Sequence, residues 1–189
     1  MGFIRDVNRI LEAMKDRTHT MLFSATLDKS QQAMIDRILK DHVSVKVSSG
    51  KSTGEGINQE VIRLEPGQDK FKVLHHMLSQ EEFKKVLLFE ETKHRVSRLC
   101  MKLNKAGISS EQIHGNKSQN ARQNALNAFK LGRVQVLVAT DVASRGLDVS
   151  DVSHVINYQV PQTHDSYIHR IGRTGRAGKV GKAYTFLAS

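Results

Sequence analysis

Three arginines near the end of the chain have the type and spacing to bind phosphate groups. In HRIGRTGRAG, residues 169–178, Arg170, Arg173 and Arg176 recur at every third position with glycines between them. Glycine allows close approach to the backbone, and arginine donates paired hydrogen bonds to phosphate oxygens while staying charged. The loop therefore indicates a site that stabilises a transferring phosphoryl group. The alternative is a solvated basic turn, whereas the glycine spacing does not match a dinucleotide-binding fingerprint.

A second stretch, SSGKSTGEG at residues 48–56, contains the Gly-Lys-Ser of a phosphate-binding loop. That loop requires a first glycine at the position that Val45 occupies. The following residues, 58–64, alternate like a strand and do not open a helix. We interpret residues 48–57 as a flexible linker between two folded parts.

Three further polar loops follow predicted strands: LFEETK at 88–93, HGNKSQNAR at 114–122 and ATDVASRGLD at 139–148. Periodicity predicts strands near 58–64, 85–90, 109–113, 134–139, 152–158 and 183–187. Helices are predicted near 68–79, 92–105, 118–130 and 163–171. Repeated βα units predict an α/β fold with a mostly parallel sheet covered by helices on both faces. Such sheets bind ligands at the carboxyl ends of their strands, where these loops lie.

The first 47 residues have a separate pattern. Apolar residues from Phe3 to Met14 predict a helix, residues 19–26 a short strand, and Asp28 the N-cap of a second helix, followed by a strand at 42–47. This segment is too short to bury its own apolar faces. We expect it to be the end of a domain whose earlier strands are missing.

Composition limits the classes of function. The net charge of +10 favours a polyanionic partner. No apolar run approaches the length of a membrane span, and no export leader is present, so we expect a cytoplasmic protein. Cys100 is the only cysteine, which excludes an internal disulfide, and its apolar helical neighbours predict a buried thiol.

Five motifs, in chain order, resemble those of DEAD-box RNA helicases, which are superfamily 2 ATPases built from two RecA-like domains. They are SAT at 24–26, Phe89 with Thr92, Gln119 with Arg122, ATDVASRGLD at 139–148 and HRIGRTGRAG at 169–178. The resemblance implies a RecA-like three-layer α/β/α fold, preceded by a partial second RecA-like segment. Residues 1–47 would be the tail of the first, ATP-binding domain, 48–57 the linker, and 58–189 the second domain.

The resemblance also implies nucleotide contacts. Arg173 and Arg176 would reach across a closed cleft to the ATP phosphates, and Asp148 would contact the ribose, although Asp148 could instead cap a helix or turn. Mg²⁺ would arrive with ATP and be held mainly by the missing N-terminal half. The spacing of the histidines predicts no structural metal site. This chain by itself should not hydrolyse ATP.

RNA contacts are implied at Gly115, Arg122 and Thr140, which would bind the backbone without reading bases. Coupling between the two domains is implied for four residues: Ser24, Thr26, Arg145 and His169. For Ser24 and Thr26, capping of the following helix is the alternative. The expected partners are RNA and the N-terminal RecA-like domain, with no membrane.

Two positions depart from the family pattern, because Asn116 and Gln159 stand where aspartate is common. Two other functions remain open from the sequence. One is a binding module that contacts RNA or a regulatory protein without turnover, and the other is a DNA-translocating helicase of the same superfamily.

Overall fold

A computed structural model describes residues 4–24, 29–39, 41–45, 56–144, 149, 152–175 and 180–187. The chain divides into two compact units, Met1–Ser48 and Ser49–Ser189. No helix among the described residues is long and apolar enough to cross a membrane.

The first unit contains two helices, α1 (Ile4–Ala13) and α2 (Lys29–Ile38). Its apolar residues are largely exposed: α1 buries none, and Phe23 is 89% exposed. The strands predicted at 19–26 and 42–47 are wrong for their described parts, since residues 19–24 and 42–45 have no strand structure. A strand requires a hydrogen-bonded neighbour, and the described part of this unit provides only two helices. Asp28 lies outside the described residues.

The second unit contains a sheet of six strands, all paired in parallel, in the order β1-β6-β5-β2-β4-β3. The strands are β1 (Ile57–Arg63), β2 (Val86–Phe89), β3 (Ser110–Ile113), β4 (Val136–Ala139), β5 (His154–Asn157) and β6 (Gly181–Leu187). The helices are α3 (Lys70–Leu78), α4 (Lys93–Lys105), α5 (Gln119–Lys130), α6 (Asp141–Ser144) and α7 (His164–Ile171). The predicted α/β class is confirmed. The sheet was predicted to be mostly parallel, and all five strand pairs are parallel.

Four helices of this unit begin at a residue whose side chain accepts a backbone N–H of the first turn. These N-caps are Asp69 for α3, Thr92 for α4, Ser118 for α5 and Thr163 for α7. Each cap satisfies an amide that the helix itself leaves unpaired. The caps therefore fix where each helix starts, directly after a loop at the carboxyl edge of the sheet.

Helices cover both faces of the sheet. One core contains α3 and α4 with strand residues such as Leu88 and Val138. The other contains α5 and α7 with their strand neighbours Leu87 and Leu137. Because successive residues of a strand point to opposite faces, β2 and β4 are buried along their whole lengths. The three-layer α/β/α architecture is confirmed.

His154 is a buried titratable group at the start of β5. Its ring stacks on Phe83 at 4.2 Å between centroids, and Nδ1 lies 2.9 Å from the Ser153 hydroxyl. Nε2 is buried and has no hydrogen-bond partner among the described residues. Burial, with a smaller contribution from the Lys182 charge, lowers the pKa of His154 from its usual 6.5. The folded state therefore favours the neutral ring.

We predict that acid destabilises this unit through His154. The unfolded chain binds the proton more readily, so stability falls as the pH drops below about 6.5, by at most about 1.4 kcal/mol per pH unit for one proton. His154→Leu should reduce this loss between pH 7.5 and 5.5, measured by urea unfolding. The exposed His76→Leu is the control. Equal pH dependence in both variants would contradict the prediction.

Candidate functional site

Arg170 is a buried arginine on α7 that connects three strand ends. It is 3% exposed. Its Nε and Nη2 donate to the two carboxylate oxygens of Asp141 at 2.6 and 2.8 Å. Its Nη1 donates to the Asn157 side-chain oxygen at 3.2 Å and to the Gln159 carbonyl at 2.8 Å. The guanidinium carbon lies 5.0 Å from the ring centroid of Phe89.

These contacts change the interpretation of the arginine loop. Arg170 is fully engaged inside the protein, so this arginine of the repeat does not face a ligand. The same contacts join α7 to the ends of β2, β4 and β5. Sequence reasoning missed Asp141 as the partner of Arg170, although a buried guanidinium requires a carboxylate.

His169 and Arg173 lie beside Arg170 near the end of α7. A small cleft there is lined by Asp141, Ser144, Ser166, His169, Arg170 and Arg173. The cleft brings the end of α7 against α6, which follows β4. Two of the predicted site residues, His169 and Arg173, therefore lie together.

The chain after Arg173 is fixed at the amino ends of the strands, opposite the loops that carry the other candidate residues. The Thr174 hydroxyl donates to the Val152 carbonyl at 2.5 Å, just before β5. Gly175 has φ of +67°, and a Cβ there would lie 2.7 Å from the Ile57 side chain. Glycine is required at this position by its conformation and by the close approach of β1. Arg173 thus lies between two anchored residues, Arg170 and Thr174.

His114 organises the loop after β3. It is buried, and its Nδ1 accepts the Asn116 N–H at 3.3 Å. Its Nε2 therefore carries the proton and donates to the Gln112 side-chain oxygen at 3.1 Å, with the Ser97 hydroxyl also at 3.1 Å. Burial, followed by the charge of Lys117, lowers the pKa of His114. A neutral ring with both nitrogens bonded holds this loop in one orientation.

Gly115 and Asn116 occupy the exposed tip of that loop. A Cβ on Gly115 would meet nothing within 4 Å, so its backbone faces open space. The Asn116 side-chain oxygen accepts a hydrogen bond from the Lys93 ammonium at 3.0 Å. An aspartate at this position would also neutralise the charge of Lys93. The amide makes the hydrogen bond but carries no negative charge.

Arg122 and Thr140 lie on the neighbouring elements. Arg122, on the first turn of α5, donates from Nη2 to the Ala143 carbonyl of α6 at 3.2 Å, and its Nε is buried without a hydrogen-bond partner among the described residues. The Thr140 N–H donates to the Ile113 carbonyl at 3.3 Å. Gly115, Arg122 and Thr140 therefore converge around the ends of β3 and β4, as the parallel order of those strands requires.

Other predicted positions have structural roles or lie outside the described residues. Phe89 is completely buried, and Thr92 caps α4. Ser24 is an exposed residue of the first unit. Thr26, Arg145, Asp148 and Arg176 lie outside the described residues. Within the described ranges, no cluster of three His, Cys, Asp or Glu side chains could hold a metal ion.

A parallel α/β sheet with these loops at its carboxyl edge defines a RecA-like domain. Residues 69–178 match the family described as the helicase conserved C-terminal domain. The chain is 42% identical over 188 residues to the DEAD-box ATP-dependent RNA helicase CshA of Streptococcus pneumoniae, covering all of this chain and 36% of that protein. The chain belongs to the DEAD-box RNA helicases, which confirms the resemblance seen in the motifs. It spans about a third of the length of the relatives it matches.

Two solved structures are also similar. The Escherichia coli DEAD-box protein SrmB, bound to regulator of ribonuclease activity A, has 41% identity and a TM-score of 0.66, covering 70% of this chain and 78% of that one. Dbp5 of Saccharomyces cerevisiae, bound to RNA and ADP BeF3, has 29% identity and a TM-score of 0.88, covering all of this chain and 50% of that one.

We predict that Arg170→Ala lowers the free energy of unfolding by about 3–5 kcal/mol, because it leaves Asp141 facing a partly buried site without its partner. Arg95→Ala is the matched control, since Arg95 forms an exposed pair with Glu91 at 3.3 Å. That pair should contribute about 0–1 kcal/mol. Urea unfolding of both variants measures the difference, and similar losses would contradict a special role for Arg170.

Proposed function

We propose that this chain acts as the second RecA-like domain of an ATP-dependent RNA helicase. Residues 58–189 would form that domain, 48–57 the linker, and 1–47 the tail of the first RecA-like domain. One observation carries the proposal: Arg173 is anchored beside α6, while Gly115, Arg122 and Thr140 converge at the adjacent strand ends. The residues proposed to bind the phosphates of ATP and of RNA would thus be carried by one sheet.

On the ATP side, Arg173 and Arg176 would stabilise the charge that spreads over the transferring phosphoryl group. Such arginines contribute about 10³ to 10⁵ in rate, or roughly 4–7 kcal/mol. The effect depends on orientation before the reaction starts, which the anchoring of Arg173 between Arg170 and Thr174 supports. Asp148 would accept a hydroxyl of the ribose.

On the RNA side, the backbone N–H groups at Gly115 would approach a phosphate, and Arg122 and Thr140 would add charge and a hydroxyl donor. The Arg122 side chain is half-buried, and its Nη2 donates to the Ala143 carbonyl at 3.2 Å, which holds the guanidinium beside the ends of β3 and β4. Contacts of this kind position a strand without reading its sequence. Binding would therefore depend strongly on salt and weakly on sequence.

The two ligands would be coupled through closure of the two RecA-like domains. Ser24 and Thr26 of the first domain would act with Arg145 and His169 of the second. ATP and RNA must then both favour the closed form over the open one. Hydrolysis would reset the cycle after one RNA strand has been bent out of duplex geometry.

The nucleotide would arrive with Mg²⁺. As the family resemblance implies, the ion would be held mainly by the first domain. The proposed partners are RNA and that N-terminal RecA-like domain, and the proposed compartment is the cytoplasm.

We predict that Gly115→Ala weakens the binding of single-stranded RNA without lowering stability. The added methyl group meets no protein atom, but it blocks close approach of a phosphate to the backbone. Fluorescence anisotropy with labelled RNA, alongside urea unfolding, separates the two effects. Gly132→Ala is not a suitable control, because the positive φ of Gly132 would strain an alanine. Ser109→Ala serves instead, since Ser109 precedes β3 and lies away from the carboxyl ends of the strands. Unchanged RNA affinity would contradict the assigned contact.

We predict that Arg173→Ala, placed in a longer helicase that has a complete first RecA-like domain before this chain, lowers the RNA-stimulated rate of ATP hydrolysis by about 10³-fold or more, with RNA affinity retained. Arg133→Ala, an exposed arginine just before β4, is the control and should retain full activity. Activity of Arg173→Ala within a few-fold of the control would contradict the role of Arg173. RNA binding with no ATP hydrolysis by the unaltered helicase would instead favour a binding module.

A further inference from the structure

The outer face of α4 carries cations and no carboxylate. Its sequence, KHRVSRLCMKLNK, contains six basic residues: Lys93, His94, Arg95, Arg98, Lys102 and Lys105. The inner face is buried through Val96, Leu99, Cys100 and Leu103. All the charge therefore points away from the sheet.

Three of these cations form a stripe. Arg98, Lys102 and Lys105 follow an i, i+4, i+7 spacing, which places them on one side of a helix. All three are exposed, and none forms an ion pair with a described residue. The adjacent strand β3 does not neutralise them, because Ser110 contacts α4 and its neighbour Glu111 therefore points to the opposite face.

One cation of the stripe is held in place. The Lys102 ammonium lies 5.4 Å from the ring centroid of Phe71 on α3, at cation–π distance. Arg95 differs from the stripe because it is paired with Glu91. The uncompensated charge thus lies on the part of α4 that follows Arg95.

This charged face is continuous with the proposed RNA site. α4 begins beside the loop that contains Gly115, where Lys93 donates to Asn116. Lys93, in the first turn of α4, adds positive charge between that loop and the stripe, because residue 116 is an amide and not a carboxylate. The helix of 13 residues then carries the positive charge about 20 Å across the surface, at about 1.5 Å per residue.

We infer that the outer face of α4 binds the phosphate backbone of RNA that continues beyond the Gly115–Thr140 site. The inference rests on the proposed function, because it takes the RNA to be held at that site. Lys93, Arg98, Lys102 and Lys105 provide a charged path for flanking nucleotides. RNA is favoured over an acidic protein because the path begins at the RNA site and because flexible cations suit a repeated phosphate charge.

The test compares two double variants with equal loss of charge. Arg98→Gln/Lys105→Gln removes one arginine and one lysine from the stripe and leaves Lys102, which also packs on Phe71. Lys84→Gln/Arg133→Gln removes one of each from exposed positions just before β2 and β4, at the opposite edge of the sheet. Each 189-residue chain is titrated with labelled single-stranded RNA of about 6 and about 20 nucleotides, lengths that lie within and beyond the roughly 4–16 nucleotides that one single-strand-binding domain covers.

The expected result concerns only the long RNA. Each lost phosphate contact should reduce the slope of log affinity against log salt by about 0.7, so the stripe variant should lose about 1.4. The control variant should have the same salt slope as the unaltered chain on both RNAs. The stripe variant should have the same slope as the unaltered chain on the short RNA. Circular dichroism confirms folding, which these exposed positions should not affect.

Other outcomes overturn the inference in distinguishable ways. If the stripe variant matches the control on long RNA while the short RNA still binds, the α4 path is wrong and the proposed function stands. If the unaltered chain binds neither RNA, both fail. Polyglutamate, titrated in the same way, stands in for an acidic protein. If the stripe variant loses affinity for polyglutamate but not for the long RNA, the face fits an acidic protein and the RNA path is wrong.

Discussion

The buried contact between Arg170 and Asp141 is the constraint on which the candidate site depends. A guanidinium can be buried only when its N–H groups have partners. Here Asp141, Asn157 and the Gln159 carbonyl accept four of its hydrogen bonds. The requirement fixes α7 against the ends of β4 and β5, and it therefore fixes the direction in which the chain leaves toward Arg173.

A second polar network has the same role on the other face of the sheet. His114, Ser97 and Gln112 join β3 to α4 by mutual hydrogen bonds. Their burial is tolerated because each polar group is bonded, and bonded polar groups specify one arrangement where apolar packing would allow several. Both networks lie at carboxyl ends of strands. Two residues proposed to bind ligands, the exposed Gly115 and the half-buried Arg173, each follow a buried residue that is held by the protein itself, His114 and Arg170.

The sequence predicted the second unit well because its signals are local and repeated. The predicted helix near 118–130 matches α5 (Gln119–Lys130), and buried strands such as VLVA at 136–139 were recognisable as short apolar runs. The first unit shows the limit of such signals. MLFS at 21–24 has the composition of a strand, but strand structure depends on a pairing partner that periodicity cannot provide. The role of Arg170 was missed for a related reason, since its partner Asp141 is 29 positions away and comes close only through the order of the strands.

The most direct measurement is the rate of ATP hydrolysis, with and without single-stranded RNA, for this 189-residue chain and for a longer protein in which a complete first RecA-like domain precedes it. We predict no hydrolysis by the chain alone and RNA-stimulated hydrolysis by the longer protein, because the phosphate-gripping loop would lie in the first domain. Hydrolysis by the chain alone would contradict an ATP site that is shared between two domains. It would also favour a phosphate-binding role for SSGKSTGEG at residues 48–56, which we interpret as a linker.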